Sequence, residues 1–197
     1  MGSEMCIRDS HTTMPSLTNT VIETPLGAMH AMLHDQRLVS LRFVDQHPEA
    51  ALPSVPAEAM PVAQALDAYF QGTGSLSHSP LHPEGTPFQQ AVWTLLRGIP
   101  RGQTCSYSEI AHRLGRPTAV RAVAQAIARN PIHLFIPCHR VVGADGQLTG
   151  FAGGLWRKAW LLEFERTGTA PHQDVIPGSP GFEGRDGAVG GPFRCSS

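Results

Sequence analysis

No run of about 18 apolar residues occurs in the chain of 197 residues, so no membrane-spanning helix is expected. The N-terminus holds no Lys- or Arg-led apolar segment ending in small residues, so no secretory signal is expected either. Cysteine is scarce: Cys6, Cys105, Cys138 and Cys195 are scattered, without paired spacing. That pattern argues against a disulfide scaffold and a cysteine-based zinc site, and fits a reducing, cytoplasmic setting. Lys158 is the only lysine, so contacts to phosphate would fall to arginine. Charged residues make up 16% of the chain and the net charge is −1, which taken alone argues against a nucleic-acid partner. What is present is an ordinary apolar fraction of 41%, enough for one large domain or two small ones around a real core.

The distribution of charge is less neutral than its sum. From Arg97 to Arg140 there are seven arginines and one acid, Glu109, within 44 residues. A local basic stripe in a neutral chain can serve as a footprint for phosphates, although a solvated arginine-rich face has the same composition.

The chain divides into regions of different texture. Residues 1–16 lack periodicity and are expected to be a disordered leader. Residues 17–80 are expected to form a β-rich N-terminal domain. Within it, Thr20–Glu23, Ala28–Leu33 and Leu38–Val44 alternate as strands around Pro25-Leu26-Gly27 and Asp35-Gln36-Arg37 turns, and Val62–Phe70 has helical spacing. Residues 71–85, rich in Gly, Ser, Pro and His, read as an interdomain linker. Residues 86–168 read as a mostly helical second domain. Thr86-Pro87 is an N-cap followed by proline, opening a helix with Phe88, Val92, Leu95 and Leu96 as its stripe. Ser106-Tyr107-Ser108-Glu109 matches a capping box for a helix to about Leu114. Gly115-Arg116-Pro117 breaks it, and Thr118 is expected to cap a second helix to about Arg129. Helix, short glycine-containing turn and helix is the helix-turn-helix pattern. Val120, Val123 and Ile127 fall on one face of the second helix, with Arg121, Ala122, Gln125 and Arg129 opposite. Ile132–Ile136 reads as a short buried strand, and Leu155–Arg166 as a helix stopped by Gly168. Residues 169–197, with six glycines and four prolines after Thr169, are expected to be a disordered tail.

Cys138 stands between Pro137 and His139. A thiol becomes a good nucleophile on ionisation, which a nearby imidazole and arginine promote. A lone cysteine is more often buried and inert, and adjacency in sequence does not establish contact, so both readings stay open on residue chemistry alone.

The surrounding string decides between them. Ile136-Pro137-Cys138-His139-Arg140-Val141-Val142, after Asn130-Pro131 and before Gly150-Phe151-Ala152-Gly153-Gly154-Leu155, resembles the O6-alkylguanine-DNA alkyltransferases, also called methylated-DNA–protein-cysteine methyltransferases. The resemblance spans Thr86–Gly168 and includes Phe88-Gln89-Gln90-Ala91-Val92-Trp93, Ser106-Tyr107, Pro117–Val123 and Arg157-Lys158 with Trp160-Leu161-Leu162.

The resemblance implies an α+β fold: a small β-rich N-terminal domain followed by a mostly helical DNA-binding domain with a helix-turn-helix. It implies that Cys138 accepts the alkyl group, that His139 deprotonates the thiol through a water, and that Glu165 orients the imidazole. Tyr107 would donate a proton to a ring nitrogen of the departing guanine, a task that suits a phenol at neutral pH. Arg121 would occupy the gap left by a flipped nucleotide. Ala119, Ala122 and Ala126 would allow close approach of the helix to the minor groove. Asn130 would tie the helix-turn-helix to the reactive segment. Main-chain groups at Val141 and Ala152 would hold the extruded guanine, with Phe151 as a ring wall where many members have tyrosine. The expected partner is double-stranded DNA containing O6-alkylguanine, bound by a monomer without cofactor or membrane. No metal is expected, because the cysteines of zinc-bearing members are missing and His30 and His34, four apart, flank a strand. Two other classes remain for comparison: a non-catalytic module that binds alkyl damage, which the presence of Cys138 disfavours, and a Cys-His hydrolase, which the helix-turn-helix disfavours.

Overall fold

The structure, a computed structural model, describes residues 16–44, 54–76, 80–172, 176, 178 and 179. It opens with an antiparallel meander, β1 (Leu17–Ile22), β2 (Met29–His34) and β3 (Arg37–Phe43), in that spatial order. β2 shows why these residues make a half-buried strand: Met29, Ala31 and Leu33 point into the core while His30, Met32 and His34 alternate outward. The β2–β3 hairpin turns on Asp35 and Gln36 alone, both at positive φ (47° and 62°), as a two-residue type I′ turn requires. α1 (Met60–Phe70) follows a short 3₁₀ turn and faces the core with Val62, Ala63, Leu66 and Tyr69. The expected disordered leader, except Ser16, and residues 45–53 lie outside the described residues.

The stretch read as a linker is tied down where it is described. Leu38 donates to the carbonyl of Pro80 and His82 donates to that of Leu38, so Leu81 bridges to β3 in parallel. Leu76 is buried in the core.

The second half carries α2 (Pro87–Arg97), β4 (Cys105–Ser106), α3 (Tyr107–Arg113), α4 (Val120–Ala128), β5 (Val141–Val142) and α5 (Leu155–Thr167). Two helix starts follow the local code. Thr86 and Gln89 form a capping box on α2, and Ser106 and Glu109 form one on α3. Trp93 of α2 is buried and donates through Nε1 to the carbonyl of Ala126, fixing α2 against α4. β4 and β5 pair in parallel, Cys105 opposite Val141, and set the reactive segment beside the start of α3. α5 ends at Gly168 in the left-handed conformation.

Three expectations need correction. Thr118 does not cap α4: the chain turns once more, with Ala119 donating to the carbonyl of Arg116, and the helix begins at Val120 without a side-chain cap. Ile132–Ile136 is not a strand. Only Ile132 bridges to Leu41 of β3, and the run then bends through Leu134 at φ 68°. The cause is Asn130, whose side chain accepts from the Ile132 N–H and donates to the Ile136 carbonyl, closing a turn where a ladder would need both groups. The described residues of the tail also pack against the rest of the chain. The Pro171 carbonyl accepts from Trp160 Nε1, and Ile176 is buried in the core. Residues 180–197 lie outside the described residues.

One apolar cluster runs through both halves, from Met29, Leu41 and Leu66 to Val92, Ile127 and Phe164. Arg157 of α5 stitches them as well. Its guanidinium donates to the carbonyls of Leu26 and Gly153 and lies over the ring of Phe43, 4.7 Å from its centroid. Among the described residues no helix is long and apolar enough to cross a membrane.

Candidate active site and nucleic-acid interface

The reactive segment is a 3₁₀ turn, Cys138–Arg140, wedged between the Asn130 turn and β5. Cys138 is buried (6% exposed), and Asn130 Nδ2 donates to its Sγ at 3.1 Å. Burial pushes the thiol above its ordinary pKa. The Asn130 hydrogen bond and the positive charge of Lys158 work against that rise. The resting group is therefore a protonated thiol with ionisation aids already in place.

Behind it lies a closed polar network. His139 is fully buried, and its Nε2 meets Glu165 Oε1 at 2.9 Å. Burial holds its pKa below the usual value despite the opposing pull of Glu165, so the imidazole is neutral at pH 7. Because Oε1 is an acceptor, Nε2 carries the proton and Nδ1 keeps its lone pair. Nδ1 has no protein hydrogen-bond partner. Burial alone would raise the pKa of Glu165, but His139 and Arg140 hold it well below the usual carboxylate range. Arg140 pairs with it twice, Nη2 to Oε1 at 2.8 Å and Nε to Oε2 at 2.9 Å. Tyr69 Oη donates to Oε1 at 2.7 Å, and the Gly102 N–H reaches Oε2 at 3.3 Å. Gly102 sits at φ 77° with space for a Cβ only 3.1 Å from the Glu165 carbonyl, so glycine is needed there to aim its N–H at the carboxylate.

A cavity of about 260 Å³ opens onto Cys138, lined by Tyr107, Ala124, Ile127, Ala128, His133, Gly150, Phe151 and Ala152. It is near the lower end of small-ligand sites, a size for one heterocycle and a small substituent. Tyr107, at the N-terminus of α3, reaches across it to Thr149, whose Oγ1 donates to the phenol oxygen at 3.3 Å. Phe151 forms a wall, backed by Phe43 of β3 at 6.4 Å between ring centroids. Gly153 allows that packing: a Cβ there would stand 2.7 Å from both rings. A second cavity, of about 250 Å³, lies on the far side of Arg140 between Tyr69, Arg97 and Arg101, and Cys138 is not among its lining residues.

The structure thus joins His139 and Glu165 in one network, ties Asn130 to Cys138 beside it in the chain, and puts Tyr107, Phe151 and Ala152 around the cavity. Val141 is buried in β5, its N–H is taken by the Cys138 carbonyl, and it does not line the cavity. Arg121, Ala122, Gln125 and Arg129 stand exposed on α4 next to the cavity wall formed by Ala124 and Ala128. Ala126 is buried on the opposite face, under Trp93, and cannot approach a groove. Arg140 leaves the basic stripe as well, because its charge is spent on Glu165.

Three residues escaped sequence reasoning. Lys158 is fully buried. Its ammonium donates to the Thr149 carbonyl at 2.6 Å, pinning the loop before Phe151, and burial lowers its pKa to about 8 against the pull of Cys138. Its place one turn before Leu161 and Leu162 on α5 was the available signal. His133 is 3% exposed, packs in a tilted arrangement against Phe151 with ring centroids 5.5 Å apart, and has an unpartnered Nδ1. Burial, with the charges of Arg42, His139 and Arg157, lowers it to about 4. Tyr69 gave no signal beyond a helical apolar stripe.

Comparison with known proteins agrees with this geometry. Residues 87–167 match the family described as 6-O-methylguanine DNA methyltransferase, DNA binding domain. A methylated-DNA–protein-cysteine methyltransferase of Mycobacterium leprae is 47% identical over 149 residues, covering 74% of this chain and 90% of that protein. One from Haemophilus influenzae is 41% identical over 161 residues, covering 78% and 88%. The fold matches a crystal structure of Mycobacterium tuberculosis OGT in complex with DNA at a TM-score of 0.70 and 41% identity, covering 79% of this chain and 96% of that one. With a buried His139–Glu165 pair next to a buried cysteine in the chain, an exposed arginine-bearing helix, and relatives of this identity along most of its length, the chain belongs to the methylated-DNA–protein-cysteine methyltransferase family.

Proposed function

We propose that Cys138 is the cysteine on which this DNA-repair methyltransferase receives its alkyl group, and that the substrate is O6-alkylguanine in duplex DNA, flipped into the 260 Å³ cavity. The observation that carries the reading is the joint setting of Cys138: a sulfur at the floor of a base-sized cavity, with a neutral histidine oriented by a buried carboxylate next to it in the chain.

The chemistry follows from the donors. Nδ1 of His139 accepts the thiol proton through one water, and Glu165 stabilises the imidazolium that forms. The ammonium of Lys158 and the amide of Asn130 stabilise the thiolate. Sγ attacks the alkyl carbon, the S–C bond forms as the C–O6 bond breaks, and guanine leaves. Tyr107 donates a proton to a ring nitrogen of the leaving base and is reprotonated from the imidazolium side. The net change moves one proton from thiol to guanine and leaves a thioether. A thioether has no good leaving group, so each molecule acts once.

A stacked base presents O6 in the major groove, out of reach of a buried sulfur, so the nucleotide must leave the stack. Arg121, exposed on α4, fills the gap, and Ala122 permits close approach. The protein acts as a monomer in the cytoplasm.

The reading is tested with a duplex whose restriction site is blocked by one O6-methylguanine. Cleavage is expected to return in amounts equal to the protein added, with no further gain over time. Continued turnover, or restored cleavage by a Cys138→Ala variant, would overturn it.

A further inference from the structure

We infer that Tyr69 of α1 is a positioning residue of the reactive centre: its hydroxyl takes a share of the Glu165 oxygen that holds His139, and so sets the basicity of that imidazole. The inference rests on the Cys138 reading above and gives the N-terminal half of the chain a part in the chemistry.

The geometry is specific. Tyr69 Oη lies 2.7 Å from Glu165 Oε1, joining residues 96 apart in sequence. The same oxygen accepts from His139 Nε2 at 2.9 Å and from Arg140 Nη2 at 2.8 Å. The Tyr69 ring is clamped edge-on by Phe70 and Phe164, at 5.1 Å and 5.8 Å, with the Arg101 guanidinium 5.3 Å from its centroid. A buried tyrosine needs an acceptor for its hydroxyl, and any carbonyl would serve. Here the acceptor is the one carboxylate oxygen that also orients the histidine.

Three donors on one oxygen divide its charge. Each hydrogen bond weakens what the carboxylate can offer the other two. Taking away the Tyr69 hydroxyl returns charge to the His139 bond and favours the imidazolium. Among the described residues, the other charged or titratable groups facing this network are Arg140, Lys158, Cys138, His133 and Arg101, and Tyr69→Phe leaves all of them in place. The ring also stays, so packing against Phe70 and Phe164 is kept.

The test compares wild type with Tyr69→Phe. In single-turnover transfer, the acid limb of the pH–rate profile is expected to move to higher pH by about half a unit, a threefold change in proton affinity. In the free protein, the His139 Nε2–H proton resonance is expected to move downfield as its bond to Glu165 strengthens. That second reading does not depend on alkyl transfer, so it survives a failure of the Cys138 proposal. Phe70→Leu serves as the packing control: it is expected to lower the melting temperature and leave both readings unmoved. An unmoved acid limb and an unmoved resonance in Tyr69→Phe would overturn the inference, as would equal shifts in Phe70→Leu.

Discussion

Replacing Glu165 by glutamine tests the network at its centre. The carboxylate accepts five hydrogen bonds, from Tyr69, His139, Gly102 and twice from Arg140, and its side chain is fully buried. A glutamine keeps one acceptor oxygen. With that oxygen at the His139 end, its NH₂ faces Arg140 Nε and the Gly102 N–H, donor against donor. Arg140 is left as a buried cation without its counter-charge. Breaking one partner of a buried ion pair costs about 3–5 kcal/mol. At about 2–4 °C per kcal/mol for a chain of this size, the melting temperature should fall by about 10 °C. Transfer should slow by about 100-fold or more, because the charge that stabilises the His139 imidazolium is gone. The sign with pH is fixed as well. The folded-state pKa of Glu165 is lowered, so its contribution is present above the ordinary carboxylate range and is lost as pH falls toward the folded value. The gap in stability between wild type and variant should therefore shrink in acid. Thermal denaturation at pH 7 and pH 4, with single-turnover transfer at pH 7, checks all three. A melting temperature within about 2 °C of wild type, with a rate within about threefold, would refute the argument.

Other outcomes follow from the same geometry. His133 is lowered from 6.5 to about 4, so the unfolded chain binds the extra proton between those values and stability rises with pH across that window. Urea denaturation should show about 3 kcal/mol lost between pH 7 and pH 4, part of it absent in His133→Gln. Lys158→Met should slow transfer by about tenfold near pH 7 through the lost charge beside Sγ. The difference from wild type should close as pH rises through about 8, where the ammonium deprotonates. Arg121→Ala should cut transfer from duplex DNA by about tenfold or more while leaving transfer from the free modified base unchanged, as measured by rates on the two substrates. Asn130→Ala removes three buried hydrogen bonds, including the one to Sγ, and should cost about 3 kcal/mol in denaturant titration.

The parts of the fold legible in the sequence were those written locally. Thr86-Pro87 and the Ser106–Glu109 box started α2 and α3 where expected, because capping is a contact over three residues. The meander was legible from alternation and its turn residues. The Ile132–Ile136 turn was not, because the reason lies in one side chain, Asn130, outcompeting the apolar pattern. Nor were β4 and β5, two residues each and paired across 36 positions, too short to carry a period. At the site, the Pro137–Val142 string marked Cys138 and His139. The string said nothing of Tyr69, His133 or Lys158. Their roles arise from burial beside groups distant in sequence, and an apolar stripe containing a polar residue looks the same whether that residue is functional or merely satisfied.

The destination of the alkyl group is the most direct test of Cys138 as its acceptor. Intact mass of the protein should be measured after incubation with duplex DNA carrying one O6-methylguanine, followed by mapping of the modified peptide. The expected result is the gain of one methyl per molecule, saturating there, located on Cys138 and absent from Cys138→Ala. Lesion binding without any gain in mass, or a methyl located on another residue, would contradict the account.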